Sequence, residues 1–90
     1  MTVIDKTLAE RGKCYGVFTA HAKITQSLKT VMRATENWER LQDDQREALE
    51  MIAHKIGRIL NGDPNHHDSW HDLVGYAKLV ADRLAGKPPV

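Results

Sequence analysis

From Phe18 to Leu84 the apolar residues return every three or four positions, and no stretch alternates residue by residue. That period belongs to helices with one buried stripe; a half-buried strand needs a period of two. Phe18, Ile24, Leu28, Val31 and Met32 mark the first long stripe, between Val17 and about Ala34. His21 falls on it and is read as a core or interface residue before it is read as a ligand. A second stripe, Leu49, Ile52, Ala53, Ile56, Ile59 and Leu60, predicts a helix over 44–60. A third, Trp70, Leu73, Val74, Ala77, Val80, Ala81 and Leu84, predicts the core face of a helix over 69–84. The expectation is all-α: a compact bundle of three main helices with a short N-terminal helix.

Local chemistry sets the ends. Val3 to Arg11 reads as the short helix, stopped at Gly12, with a further break at Gly16. "TENWERLQDD" is polar, and its Trp38 and Leu41 can fold back as a short helical turn. Asp43 or Asp44 can cap the next helix, where acidic side chains suit the positive end of its dipole. Gly62 and Pro64 then end it. Asp68 or Ser69 is the natural cap of the last helix, and Ser69 with Asp72 approximates a capping box. Gly75 in mid-helix costs ~1 kcal/mol relative to Ala, which leads us to expect another helix or a ligand close to its backbone.

Ninety residues form one domain, 1–90, with a tail of about 86–90 that has little prospect of order. So short a chain buries a modest core, and a homodimer sharing apolar faces is a plausible completion. Thirteen basic and 12 acidic residues leave a net charge of +1, which argues against sequence-independent nucleic-acid binding. No apolar run approaches the ~18 residues of a membrane span. Cys14 is the single cysteine, and a free thiol suits a cytoplasmic setting.

One polar row stands out. Glu47, Glu50, His54, Arg58 and Asn61 step by three or four residues and share an arc of about 80°, nearly opposite the Leu49–Ile56 stripe. Glu47 and Glu50 have Cβ atoms ~5–6 Å apart, near enough to share a hard cation. Asp68 and Asp72 make a second such pair, and the short connection "NGDPNHH" makes the two helices antiparallel neighbours. Four such acids could hold Mg²⁺ against a phosphate, with Lys55 and Arg58 offsetting its charge. The simpler reading is a solvated helix face. His67 and His71, at i and i+4 beside His66, Asp68 and Asp72, suit a transition metal. Structural zinc sites usually include cysteine, however, and capping explains Asp68 more economically.

"LAERGKCYGVF" and "EALEMIAHKIGRILNGDPNHHDSWHDLVGYAKLV" resemble a family of small phage and prophage proteins of unassigned function. More distantly, "EALE" and "DSWHDLVGYAKL" resemble the acidic helices of MazG-like all-α nucleotide pyrophosphohydrolases. That resemblance implies Mg²⁺ on Glu47, Glu50 and Asp72, and it places Tyr76 and Lys78 along a nucleotide pocket. The second motif departs from the family's ExxD: Ser69 stands three before Asp72, and Asp68 is an irregular fourth acid.

Two functions follow as expectations. One is a Mg²⁺-dependent (d)NTP pyrophosphohydrolase with metal ligands Glu47, Glu50, Asp68 and Asp72 and nucleotide contacts His54, Lys55, Arg58, Tyr76 and Lys78. Trp70 is a second surface on which a base could stack. The other is a non-catalytic phage accessory protein in the bacterial cytoplasm, binding a host protein or sequestering a nucleotide defence signal.

Overall fold

A computed structural model describes residues 2–90. It contains α1 (Val3–Tyr15), α2 (Phe18–Arg33), a 3₁₀ turn (Glu36–Arg40), α3 (Asp43–Asn61) and α4 (His67–Leu84). The fold is all-α, with no strand among the described residues, as the helix-period stripes require.

The helix starts depart from the capping expectations. Thr2 and Asp5 form a reciprocal box at α1: the Thr2 hydroxyl accepts from the Asp5 N–H at 3.1 Å, and the Asp5 carboxylate accepts from the Thr2 N–H at 3.2 Å. α1 then runs through Gly12, whose Cβ position faces open space, because one helical glycine costs only ~1 kcal/mol. The chain turns at Gly16, where φ is +79°. Gln42, not an aspartate, precedes α3, and its N–H is met by the Gln45 side chain at 2.9 Å. α4 begins two residues earlier than expected, with no side-chain cap, and Ser69 is buried within it.

α3 is the central helix, packed on α2 along one side and on α4 along the other. Both pairs are antiparallel. Asn61 reaches Val17 while Glu50 reaches Arg33, and Asp44 bonds Arg83 while Lys55 bonds Asp72. The turn after α3 staples the bundle to α1. Asn61 Nδ2 donates to the Tyr15 and Val17 carbonyls at 3.0 and 2.9 Å, and the Asp63 N–H donates to the Cys14 carbonyl at 2.7 Å. Gly62 permits this approach, since a Cβ there would collide with the Cys14 carbonyl and the Tyr15 backbone. Trp70 Nε1 donates to the Pro64 carbonyl at 2.7 Å, closing the same turn.

The core is small and unusually polar. Trp38, Ala48 and Ala53 are its buried apolar residues, joined by His21, Thr25, Lys55 and Ser69. Trp38 arrives on the 3₁₀ turn, held by Arg46, whose Nε donates to the Trp38 carbonyl at 3.0 Å. The expected stripe of α3 is displaced: Ile52, Ile56 and Ile59 are half-buried, while Leu49 and Leu60 are exposed. The stripe of α4 splits as well. Leu73 and Val80 are half-buried, whereas Trp70, Val74, Ala77, Ala81 and Leu84 face outward. Nothing approaches Gly75 within 4 Å of a Cβ position, so the expectation of a close neighbour there is not met within the chain. No helix among the described residues is long and apolar enough to cross a membrane.

Candidate functional site

From Glu50 to Asn61 the polar row of α3 faces α1 and α2 rather than solvent, while Glu47 at its start is exposed. Glu50 points at α2, with its carboxylate 3.3 Å from Arg33 and 3.9 Å from Lys29. His54 Nδ1 lies 3.3 Å from His21 Nε2, the rings meeting edge to face with centroids 4.7 Å apart. Arg58 lies over the Tyr15 ring, 4.0 Å from its centroid. Asn61 ties down the α1–α2 junction, as above.

The acids expected to share Mg²⁺ separate instead. Glu50 faces α2, while Asp72 reaches from α4 to Lys55 at 3.0 Å. Lys55 is 7% exposed, so Asp72 serves as counter-ion to a buried ammonium. Its hydrogen bond from Lys55 holds the Asp72 carboxyl below the usual carboxylate range. Glu47 is exposed beside the groove between the start of α3 and the end of α4. Asp68 is exposed in the first turn of α4, 3.9 Å from His66 and 3.7 Å from His67. His67 and His71 stack with centroids 5.6 Å apart. Among the described residues no three His, Cys, Asp or Glu side chains are grouped to hold a metal ion. Glu47, Glu50, Asp68 and Asp72 therefore do not fit one Mg²⁺ within a single chain, because Glu50 faces α2 while Asp68 and Asp72 lie on α4, and both Glu50 and Asp72 are held by cations.

The expected nucleotide contacts also divide. Lys55 is spent on Asp72. Tyr76 and Lys78 lie on α4, where Lys78 is held by Asp82 at 2.9 Å. Tyr76 lines a groove of about 630 Å³ with Glu47, Leu79 and the tail residues Pro88 to Val90. The basic groups in that groove already have partners: Arg83 forks onto Asp44 at 2.7 and 2.8 Å, and Lys87 lies 3.3 Å from Asp82.

His54 and Arg58 remain together. They line a cavity of about 270 Å³ between α1, α2 and α3, with Arg11, Tyr15, Phe18 and His21. Two guanidiniums and four rings thus meet in one recess, and no carboxylate lines it. Beside the recess, α2 and α3 meet through a small-residue contact. Gly57 leaves the space that Thr25 Cγ2 and the His21 ring fill, at 2.5 and 2.9 Å from where its Cβ would be. His21 Nδ1 is buried there without a hydrogen-bond partner. Burial, reinforced by the Arg58 charge, lowers the His54 pKa to about 4, and burial lowers that of His21 as well. Both imidazoles are neutral at pH 7, and the positive charge of the site resides on arginine.

The same residues carry a family assignment, since residues 3–84 match the family described as a domain of unknown function, DUF6378. The chain belongs to the DUF6378 family. No curated protein and no solved structure is significantly similar to it. The matched span covers all four α-helices, so this DUF6378 domain includes every wall of the recess. Of the recess, the sequence singled out His54 and Arg58 but not Arg11, Tyr15 or Phe18. The one clue to the others was "ERGKCYGVF", which places a basic residue, a tyrosine and a phenylalanine around two glycines.

Proposed function

We propose that this DUF6378 domain binds a nucleotide or nucleotide-derived anion without hydrolysing it, in the recess between α1, α2 and α3. The observation that carries the reading is the pairing of Arg11 and Arg58 with aromatic walls and no lining carboxylate. Guanidinium forks suit phosphate oxygens, and Phe18, 74% exposed, offers a face to a planar ring, while Tyr15 holds Arg58 over its own ring. At about 270 Å³ the recess lies just under the ~300–1,000 Å³ of whole-ligand pockets. It takes one ring or one phosphoryl group and leaves the rest of the ligand at the surface.

The magnesium-dependent hydrolase reading needs Glu47, Glu50, Asp68 and Asp72 in one coordination sphere. The commitment of Glu50 to Lys29 and Arg33, and of Asp72 to Lys55, favours binding over turnover. In this reading the resemblance to phage proteins points to a cytoplasmic accessory role in a bacterial host, with sequestration of a nucleotide signal as its simplest form.

A thermal-shift panel of (d)NTPs, monophosphates and cyclic nucleotides, run with and without Mg²⁺, tests the reading. A ligand that raises Tm in EDTA, and fails to do so with Arg58→Ala, supports it. A shift that requires Mg²⁺ and vanishes with Glu50→Ala would restore the hydrolase reading.

A further inference from the structure

The exposed residues of α4 follow a pattern of their own. Trp70, Val74, Ala77, Ala81 and Leu84 step by four, three, four and three, the seam of a helix that packs on another helix along its length. Trp70, Val74 and Leu84 are 51, 65 and 62% exposed. Within the chain α4 meets α3 through its other side, where Lys55–Asp72 and Asp44–Arg83 lie. The seam is therefore an apolar face with no partner in the monomer.

Its occupant is indicated by area and by symmetry. The chain exposes 6690 Å² and has a radius of gyration of 15.2 Å. A compact monomer of 10.2 kDa exposes roughly 5,300 Å², and a 90-residue domain has a radius of about 12 Å. The excess, roughly 1,400 Å² by the same scaling, is of the size that obligate homodimers bury per chain. It belongs to the whole elongated chain, and the α4 seam supplies part of it, beside exposed apolar residues of α1 and α2 such as Val3 and Phe18. A two-fold interface must be complementary to itself. The seam is close to symmetric about Ala77, with bulky Trp70 and Leu84 at its ends and alanines within it. Small central residues let two backbones approach while the ends fill the flanks. Lys78, beside the seam, already has its charge met by Asp82 at 2.9 Å, so two copies can meet there without opposing unpaired ammonium groups.

We infer that a second copy of this chain covers the α4 seam, bringing the two Ala77 residues together at a two-fold axis. None of the seam residues lines the recess between α1, α2 and α3, so this inference and the ligand reading stand or fall separately.

Sedimentation of the full chain at about 5 and 100 µM, with circular dichroism in parallel, tests the inference. A mass twice the 10.2 kDa of the chain is expected at the higher concentration. Val74→Glu should reduce it to the monomer with helicity retained, since Val74 touches little within the chain; Ala77→Arg serves if that variant misfolds. In a Cys14→Ser background, Ala77→Cys should form an interchain disulfide under mild oxidation, and Thr30→Cys on α2 should not. A wild-type monomer at 100 µM would overturn the proposal. So would a dimer that survives both seam variants, or one in which Ala77→Cys fails to cross-link.

Discussion

His21 and His54 meet across the α2–α3 interface, Nε2 to Nδ1 at 3.3 Å, directly over the space left by Gly57. One of the two nitrogens carries the shared proton, and protonating the other as well would set two N–H donors against each other and add an imidazolium near Arg58.

That arrangement predicts acid sensitivity above the carboxylate range. The unfolded His54 titrates near 6.5 and the folded one near 4, so the unfolded state takes up protons first and stability falls as pH drops from about 6.5 to 4. The ring keeps a solvent-facing edge, and screening leaves about 1–2 kcal/mol of the effect. Thermal melts from pH 7.5 to 4.5 should show Tm falling, and His54→Gln should flatten the slope. An unchanged slope would place the sensitivity elsewhere.

Two glycines should respond in opposite directions. Gly57→Ala drives a methyl group into Thr25 and His21, and overpacking of ~1–3 kcal/mol outweighs the helix-propensity gain of ~1 kcal/mol. Gly75→Ala meets nothing within 4 Å and keeps that gain. Urea melts should therefore rank Gly75→Ala above wild type and Gly57→Ala below it.

The Lys55–Asp72 bond should behave as a buried ammonium with a replaceable partner. Asp72→Asn leaves Lys55 without its counter-ion and should lower Tm well beyond Glu47→Gln, which removes an exposed carboxylate. Lys55→Met with Asp72→Asn should recover much of the loss, because packing replaces the pair. Equal effects of Asp72→Asn and Glu47→Gln would show the bond to be immaterial.

These side chains also mark what could be read from the chain beforehand. The helices, the stop at Gly62 and the antiparallel α3–α4 pair follow from period and turn chemistry. The inward faces do not. Periodicity assumes an apolar interior, and here the α2–α3 contact is built from His21, Thr25, His54 and Gly57. A histidine on one stripe opposite a helical glycine was the available signal. On α4 the pattern pooled two faces, Leu73 and Val80 toward α3 and Trp70 to Leu84 outward, since hydropathy cannot tell an internal partner from an external one. The carboxylates were identifiable as a row, but their bearing depended on where Lys29, Arg33 and Lys55 arrived. Arg11 and Tyr15 could be assigned to the recess only once the Asn61–Gly62 turn had drawn α1 against α3.

The recess itself is open to direct titration. Arg11→Ala and Arg58→Ala should each weaken binding of the best ligand about 10-fold or more, as loss of one charge-assisted contact worth ~1.5–3 kcal/mol implies. Lys78→Ala, on the far helix, should leave affinity unchanged by calorimetry.

The most direct measurement incubates the purified chain with a mixed panel of (d)NTPs and cyclic nucleotides in Mg²⁺. Mass spectrometry then identifies both the products in solution and the ligands released from the protein. The expected result is an intact nucleotide retained by wild type and Glu50→Ala alike, and lost in Arg58→Ala. Pyrophosphate and a monophosphate formed by wild type and abolished in Glu50→Ala would contradict it.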